Sequence, residues 1–251
     1  MRKFYAILAI ATAAMAFAAN SQAQITVGAG YGLANHTSKI ISDSSKEKFD
    51  PTNMSGLHIF GTYEWNFMSK NWGDLSLEPG VSYAFYGQKI EDEKETVGGV
   101  EMSSRTSRRE HYLDIPVNVK YSYNIMPGTL KLSAFAGPSF SFGLSSAQIG
   151  KIKSGDDWMV MRANLYNGNV RSRGENDGKS FKNSEKGEKT GYGIFDLKLQ
   201  VGIAATVIDK IDVRIGFSAG LVNRMAKTNA DSGNKYVSHT NLFQIGVGYH
   251  F

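Results

Sequence analysis

At intervals from Ile25 to the final residue the chain repeats one pattern, in which bulky apolar side chains alternate with small or polar ones. A period of two is the signature of a β-strand with two unlike faces. The repeat predicts strands at 25–33, 57–67, 75–87, 112–123, 130–144, 192–207, 211–221 and 241–251, eight in all. Each is about as long as the 9–11 residues a tilted membrane-crossing strand requires. The fourth is the cleanest: Leu113, Ile115, Val117, Val119, Tyr121 and Tyr123 fall on one face, and Asp114, Pro116, Asn118, Lys120 and Ser122 on the other. The eighth sets Phe243, Ile245, Val247, Tyr249 and Phe251 against Leu242, Gln244, Gly246, Gly248 and His250.

The chemistry of the two faces decides between folds. A soluble sandwich or lipocalin-like barrel also alternates, but it turns its apolar face inward. Here the small and polar face carries glycine, serine and charge, which cannot make a dry core, while the other face is uniformly bulky. The arrangement predicted is therefore inside-out: an all-β, eight-stranded, antiparallel transmembrane β-barrel, an up-and-down meander with its apolar face in lipid and its polar face in a plugged lumen. Connections alternate between short ones (68–74, 125–129, 208–210) and long ones (34–56, 88–110, 145–191, 223–238). Both termini then fall at the short-turn end, the periplasmic side of such a barrel, and the long connections become outer loops.

The amino terminus fits an exported chain. Arg2 and Lys3 precede an apolar, alanine-rich run from Phe4 to Ala19, and Ser21 and Ala23 frame a cleavage site before Gln24. This predicts a signal peptide at 1–23 and one barrel domain at 24–251. Its removal takes two positive charges from a formal net charge of +5, so the basic balance is slight. No basic stripe with interleaved aromatics is present, and nucleic acid is not an expected partner. Cysteine is absent, which excludes disulfide stapling and thiol chemistry.

The run Tyr112-Leu-Asp-Ile-Pro-Val-Asn-Val-Lys-Tyr121, followed by Ala136-Gly-Pro-Ser-Phe140, resembles the hallmark of the PorT-like outer-membrane β-barrel family common in Bacteroidota. The carboxy-terminal Gln244-x-Gly246-x-x-Tyr249-x-Phe251 is similar to the signal read by the barrel assembly machinery. The resemblance implies an OmpA-like eight-stranded barrel in the outer membrane, in contact with lipid and monomeric, and a structural or interaction role such as secretion accessory. Fold alone does not carry function.

Candidate chemistry is sparse. Projected inward are the acids Glu64, Glu78, Asp114, Asp196 and Asp212 and the bases Lys120, Lys131, Lys198 and Arg214. An eight-stranded barrel is just wide enough for its own side chains to fill, so these groups predict a structural ion network, with Tyr86, Phe60 and Phe135 completing the plug. A narrow pore for small solutes is the first alternative. A lipid- or peptide-modifying hydrolase is the second, though no Gly-x-Ser-x-Gly elbow is present and His36, His111 and His239 lack metal-ligand spacing. They read as exposed or rim histidines, and no enzyme, metal or cofactor is expected. The loops remain for recognition. Trp158, Met159, Met161 and Tyr166 form a candidate patch, as an extension of the fifth strand or a partner-binding surface. In the second long connection Glu91, Asp92, Glu93 and Glu95 join Arg105, Arg108 and Arg109 in a solvated loop that could chelate divalent ions, or meet protein or lipopolysaccharide phosphate through the arginines.

Overall fold

A computed structural model describes residues 24–42, 45–49, 51–97, 100–187, 192–225 and 235–251. The expected leader at 1–23 and most of the connection at 223–238 lie outside the described residues. The remainder is all-β, and no helix occurs among the described residues. The strands are β1 (Gln24–Ile41), β2 (Lys46–Lys48), β3 (Thr52–Lys70), β4 (Gly73–Val97), β5 (Val100–Met126), β6 (Leu130–Ser154), β7 (Asp157–Asn164), β8 (Val170–Asn176), β9 (Lys179–Glu185), β10 (Phe195–Val207), β11 (Ile211–Gly220) and β12 (Lys235–His250).

They join one antiparallel sheet in the order β10-β11-β12-β1-β3-β4-β5-β6-β7-β8-β9, with the short β2 against β1. Strand β10 also pairs with β6, from Val207↔Leu130 to Phe195↔Phe142, so eight of the strands close a ring. Closure leaves the ring without an open edge. The first and last strands meet in the ladder, where Thr26 stands opposite His250 and the Phe251 amide donates to the Ile25 carbonyl at 2.8 Å.

Strand β6 changes partners half-way. Below Gly143 it holds β10; from Ala147 to Ser154 it holds β7. At the fork the sheet leaves the ring and runs on through β8 and β9 as a flap. The segments at 34–56, 88–110 and 145–191, expected as loops, are therefore largely strand. Lys89, Glu91–Val97 and Val100–Ser107 pair into one long hairpin, and β7 continues the fifth predicted strand as a further hairpin. Sequence reading stopped these strands where outward residues turned polar. A strand that has left an apolar surroundings still pairs, because its backbone groups still need partners.

Outward positions of the ring are exposed and apolar, among them Leu57, Ile59, Trp65, Val119, Ile203 and Val247. The apolar run ends sharply at Leu33, Leu57, Leu144, Leu221 and Phe243. Beyond it the outward positions are Asn35, Thr37, Ser55, Asn53, Asn241 and His239. From Ile211 to Leu221 the run spans about 25 Å along the ring axis, at ~3.3 Å per residue and a tilt of about 40°. That is the height of a hydrocarbon belt. The turn residues Ile208 and Asp209 at the terminal end both have positive φ, at 54° and 55°, as the tightest hairpins require.

Candidate functional site

Inside the ring the inward side chains fill the space in layers. Nearest the terminal end, the Lys120 ammonium, 0% exposed, donates to Glu64 Oε2 at 2.8 Å and to Glu78 Oε2 at 3.2 Å. Ser76 Oγ donates to Glu64 Oε1 at 3.1 Å. Arg214 reaches Glu78 at 3.3 Å and donates from Nε to Asp212 Oδ1 at 2.7 Å. Three acids and two bases thus form one chain from β3 across β4 and β5 to β11. The Arg214 guanidinium also lies 4.8 Å from the Phe60 ring and 5.9 Å from Phe135, which covers its flat faces.

Glycine makes room for those rings. A Cβ on Gly28 would lie 2.5 Å from Phe60 Cζ, and one on Gly202 would lie 2.7 Å from Phe135 Cε2. The inward glycines of β1 and β10 therefore form the floor on which the aromatic plug rests. Between them a cavity of about 50 Å³, edged by His58, Asn118, Gln200 and Arg214, is left. That is small beside the cavities that take up small molecules.

Higher up, Lys198 Nζ donates to Asp114 Oδ1 at 2.9 Å and lies 5.2 Å from the Tyr112 ring. Gln244 Nε2 donates to the Tyr86 hydroxyl at 3.0 Å. Of the nine predicted lumen charges, seven thus enter ion pairs. The other two do not. Asp196 is buried but accepts instead from the Val222 amide at 3.1 Å, and Lys131 stays half-buried, with no ion pair among the described residues. Alternation predicts a side chain's face and not its height.

A third layer, which sequence reading missed, caps the far end above the apolar belt. Glu110, 0% exposed, takes a hydrogen bond from Arg108 Nη2 at 2.6 Å and from Ser146 Oγ at 2.8 Å, and another from the Tyr112 hydroxyl. His36 Nε2 lies 3.2 Å from it. Arg224, 1% exposed, donates to the Tyr112 hydroxyl at 2.7 Å, to Thr240 at 3.2 Å, to Tyr166 at 3.0 Å and to the Gly193 carbonyl at 3.1 Å. Its guanidinium stands 4.4 Å from the Tyr192 ring. Gly143, at the fork of β6, is where this becomes possible: a Cβ there would lie 2.6 Å from Tyr166 Cζ.

Burial pushes the Glu110 carboxyl up, but His36, Arg108 and Arg224 outweigh it and hold the group well below the usual carboxylate range. Burial in the same cap pushes the His36 imidazole down and the Tyr166 hydroxyl up to about 12. At neutral pH the cap is one buried carboxylate facing two guanidiniums across a neutral histidine.

The cap corrects several expectations. His36 is buried and not a rim histidine. His111 lies on the outside, its ring 4.9 Å from Phe85 and its Nδ1 2.6 Å from the Tyr83 hydroxyl. His239 is opposite Thr37, so the three histidines do not converge. Arg108 belongs to the cap and not to a solvated loop. Tyr166 folds into the mouth, while Trp158, Met159 and Met161 lie on β7. There Trp158 faces one way and the two methionines the other, because successive strand residues alternate. The four do not share a patch. Among the described residues no group of three or more histidines and carboxylates could hold a metal ion.

The profile of the outer membrane protein β-barrel domain matches residues 4–251. The chain belongs to that outer-membrane β-barrel family. No curated protein sequence matches it. Among solved structures it is similar to Ail, the attachment invasion locus protein of Yersinia pestis, crystallised with the heparin analogue sucrose octasulfate: 12% identity over 92% of this chain and 100% of that one, TM-score 0.38. It is also similar to the outer membrane enzyme PagL, with 10% identity over 87% and 98% of the two chains and a TM-score of 0.41. Neisserial surface protein A gives 12% identity over 92% and 98%, with a TM-score of 0.36.

Proposed function

We propose that this protein is an eight-stranded outer-membrane barrel with a sealed lumen, which works as a non-enzymatic interaction protein through the sheet that projects from its far end. The observation that carries the reading is the filling of the ring: Lys120, Glu78 and Glu110 are all 0% exposed. Side chains that are paired and dry close the path a solute would take, so function moves to the outside. The ends of the chain lie in the periplasm and the β6–β9 flap stands outside the cell. The narrower PorT-like membership and its secretion-accessory role belong with this proposal, and rest on the Tyr112–Tyr121 and Ala136–Phe140 runs. Gln244, Gly246, Tyr249 and Phe251 serve assembly, since the Phe251 side chain is 68% exposed and its ring meets only Tyr249 among the described aromatic pairs.

Because the chain has no cysteine, the test is direct. Asp156→Cys, in the turn between β6 and β7, should react with a membrane-impermeant maleimide on intact cells. Lys210→Cys, in the turn between β10 and β11, should react only after the outer membrane is opened. The reverse labelling would remove the flap from the cell surface and with it the proposed role.

A further inference from the structure

Where the flap leaves the ring, its outer face carries a concentration of positive charge that the lumen and the cap do not use. A hollow of about 1010 Å³ is lined by residues from β4 to β9, nine of them lysine or arginine and none acidic; Arg108 of the cap is one of the nine, and the other eight lie on the outer face. The register places these groups in rows. Arg109 is two residues beyond His111, on the same face of β5. In the next row Lys89, Ser107, Ile149, Arg162 and Arg171 stand side by side across five strands. In the row after that Lys151 is opposite Val160, and Val160 is opposite Arg173. Arg105 also belongs to this row, but Asp92 stands in register opposite it, and nothing below depends on Arg105. The remaining cations of the hollow's outer face have no ion pair among the described residues.

The side of the sheet is fixed by His111. Its contacts with Tyr83 and Phe85 put it on the outer surface of the ring, and β5 pairs without a register shift against β6 from Met102 to His111. Arg109 and Ser107 therefore share the surface that lower down is the apolar belt. Along β5, at ~3.3 Å per residue and a tilt of about 40°, Arg109 and Ser107 stand about 5 and 10 Å beyond His111 at the belt's edge, and each row changes height by about 3 Å per strand as it crosses the tilted sheet. They face sideways along the membrane plane, at the depth of lipid headgroups.

We propose that this face binds the phosphorylated saccharide headgroup of an outer-leaflet glycolipid. Three features converge on that occupant. No acid lines the hollow, and Arg109, Arg162, Arg171 and Arg173 present the guanidinium, whose planar fork takes two phosphate oxygens at once. The rows are continuous with the lipid-facing surface, so the acyl chains of the same molecule have the belt to lie against. Their height matches phosphates attached to sugars just above the acyl chains. Bound headgroups would tie the flap to the membrane, with β7 to β9 held down on the leaflet.

The inference rests on the proposal that the flap is at the cell surface, and the test separates the two. Folded protein in detergent is titrated with diphosphorylated lipid A, with the same lipid A stripped of its phosphates, and with dextran sulfate, and adducts are read by native mass spectrometry. The comparison variants are Arg109→Gln/Arg162→Gln/Arg171→Gln together, and Lys46→Gln/Lys48→Gln on β2 as a control for charge elsewhere. Circular dichroism and heat-dependent gel mobility check that each is folded. Diphosphorylated lipid A is expected to bind wild type and the control alike, and to bind the triple variant about tenfold or more weakly, as the loss of charge-assisted hydrogen bonds implies. Dephosphorylated lipid A should bind wild type as weakly as the phosphorylated form binds the triple variant. Equal binding by the triple variant, or no dependence on the phosphates, overturns the site. Dextran sulfate displacing lipid A from wild type assigns the face to a soluble polyanion and overturns the lipid. If Asp156→Cys is not labelled on intact cells, the surface reading fails and this inference with it; if it is labelled and lipid A does not bind, only this inference fails.

Discussion

Replacing Lys120 by methionine isolates the central feature of the lumen. The ammonium is fully buried and bridges Glu64 at 2.8 Å and Glu78 at 3.2 Å. Methionine has nearly the same length, so the loss is of charge and not of volume. Glu78 keeps a second cation, Arg214, at 3.3 Å. Glu64 keeps the Ser76 hydroxyl and the charge of Lys131, which makes no ion pair with it, and it is left as a buried carboxylate without a contacting counterion. Removing one member of such a pair costs about 3–5 kcal/mol, and most of it here falls on Glu64. Adding Glu64→Gln to Lys120→Met removes the orphaned charge, and should restore about 1–3 kcal/mol, the usual coupling between residues in contact. The assay is equilibrium urea unfolding of the protein refolded into lipid vesicles, followed by tryptophan fluorescence and by heat-dependent gel mobility. A cost below about 1 kcal/mol for Lys120→Met, the range of solvent-exposed ion pairs, would mean that water reaches Glu64. The reasoning about a dry plug would then be wrong.

Four further outcomes follow from the same geometry. Gly202→Val should prevent refolding or lower stability by about 3 kcal/mol or more in the same urea assay, because its side chain would occupy the place of the Phe135 ring and overpacking of this kind is not relieved cheaply. Ile208→Gly should raise stability by about 1 kcal/mol by relieving a β-branched residue held at φ 54°, and a loss on substitution would refute the strain. The His36 imidazole has its folded pKa below the ordinary 6.5, so the folded chain takes up this proton later than the unfolded one and stability falls as pH drops below 6.5. Glu110 adds its own loss only below its ordinary value of 4.5, as pH falls toward its depressed folded value. His36→Gln should accordingly flatten the stability profile between those two values, and an unchanged slope would exonerate His36. Deleting Phe251 should reduce the amount inserted into outer membranes while leaving refolding in detergent unaffected, measured by gel mobility in each setting.

Much of the ring was legible because one physical rule governs it. In β3 the alternation of His58, Phe60, Thr62 and Glu64 with Leu57, Ile59, Tyr63 and Trp65 is read directly as inward against outward, and the structure buries the first set. Lipid outside and crowding inside impose opposite demands on neighbouring residues, and that contrast is written into the order of side chains. Above the belt the contrast vanishes. Both faces of β4 to β9 meet polar surroundings, so Arg105 to Arg109 or Lys179 to Glu185 show no dyad of apolar and polar, and the strands were read as loops. Glu110 was within reach, since it continues the inward parity of Tyr112 and Asp114. Arg224 was not, because it lies beyond the end of β11 in irregular chain, where no period exists and only the fold brings it to Tyr112, Tyr166 and Tyr192. Trp158, Met159 and Met161 misled through proximity in sequence, which in a strand separates side chains to opposite faces.

Single-channel recording in planar bilayers tests the sealed lumen most directly. Folded wild-type protein, its insertion verified by protease protection in matched vesicles, should produce no conductance steps, because the Glu64-Lys120-Glu78-Arg214 chain and the Glu110-Arg224 cap both lie across the path. Regular, voltage-stable steps from inserted wild-type protein would contradict the account and return the function to the lumen.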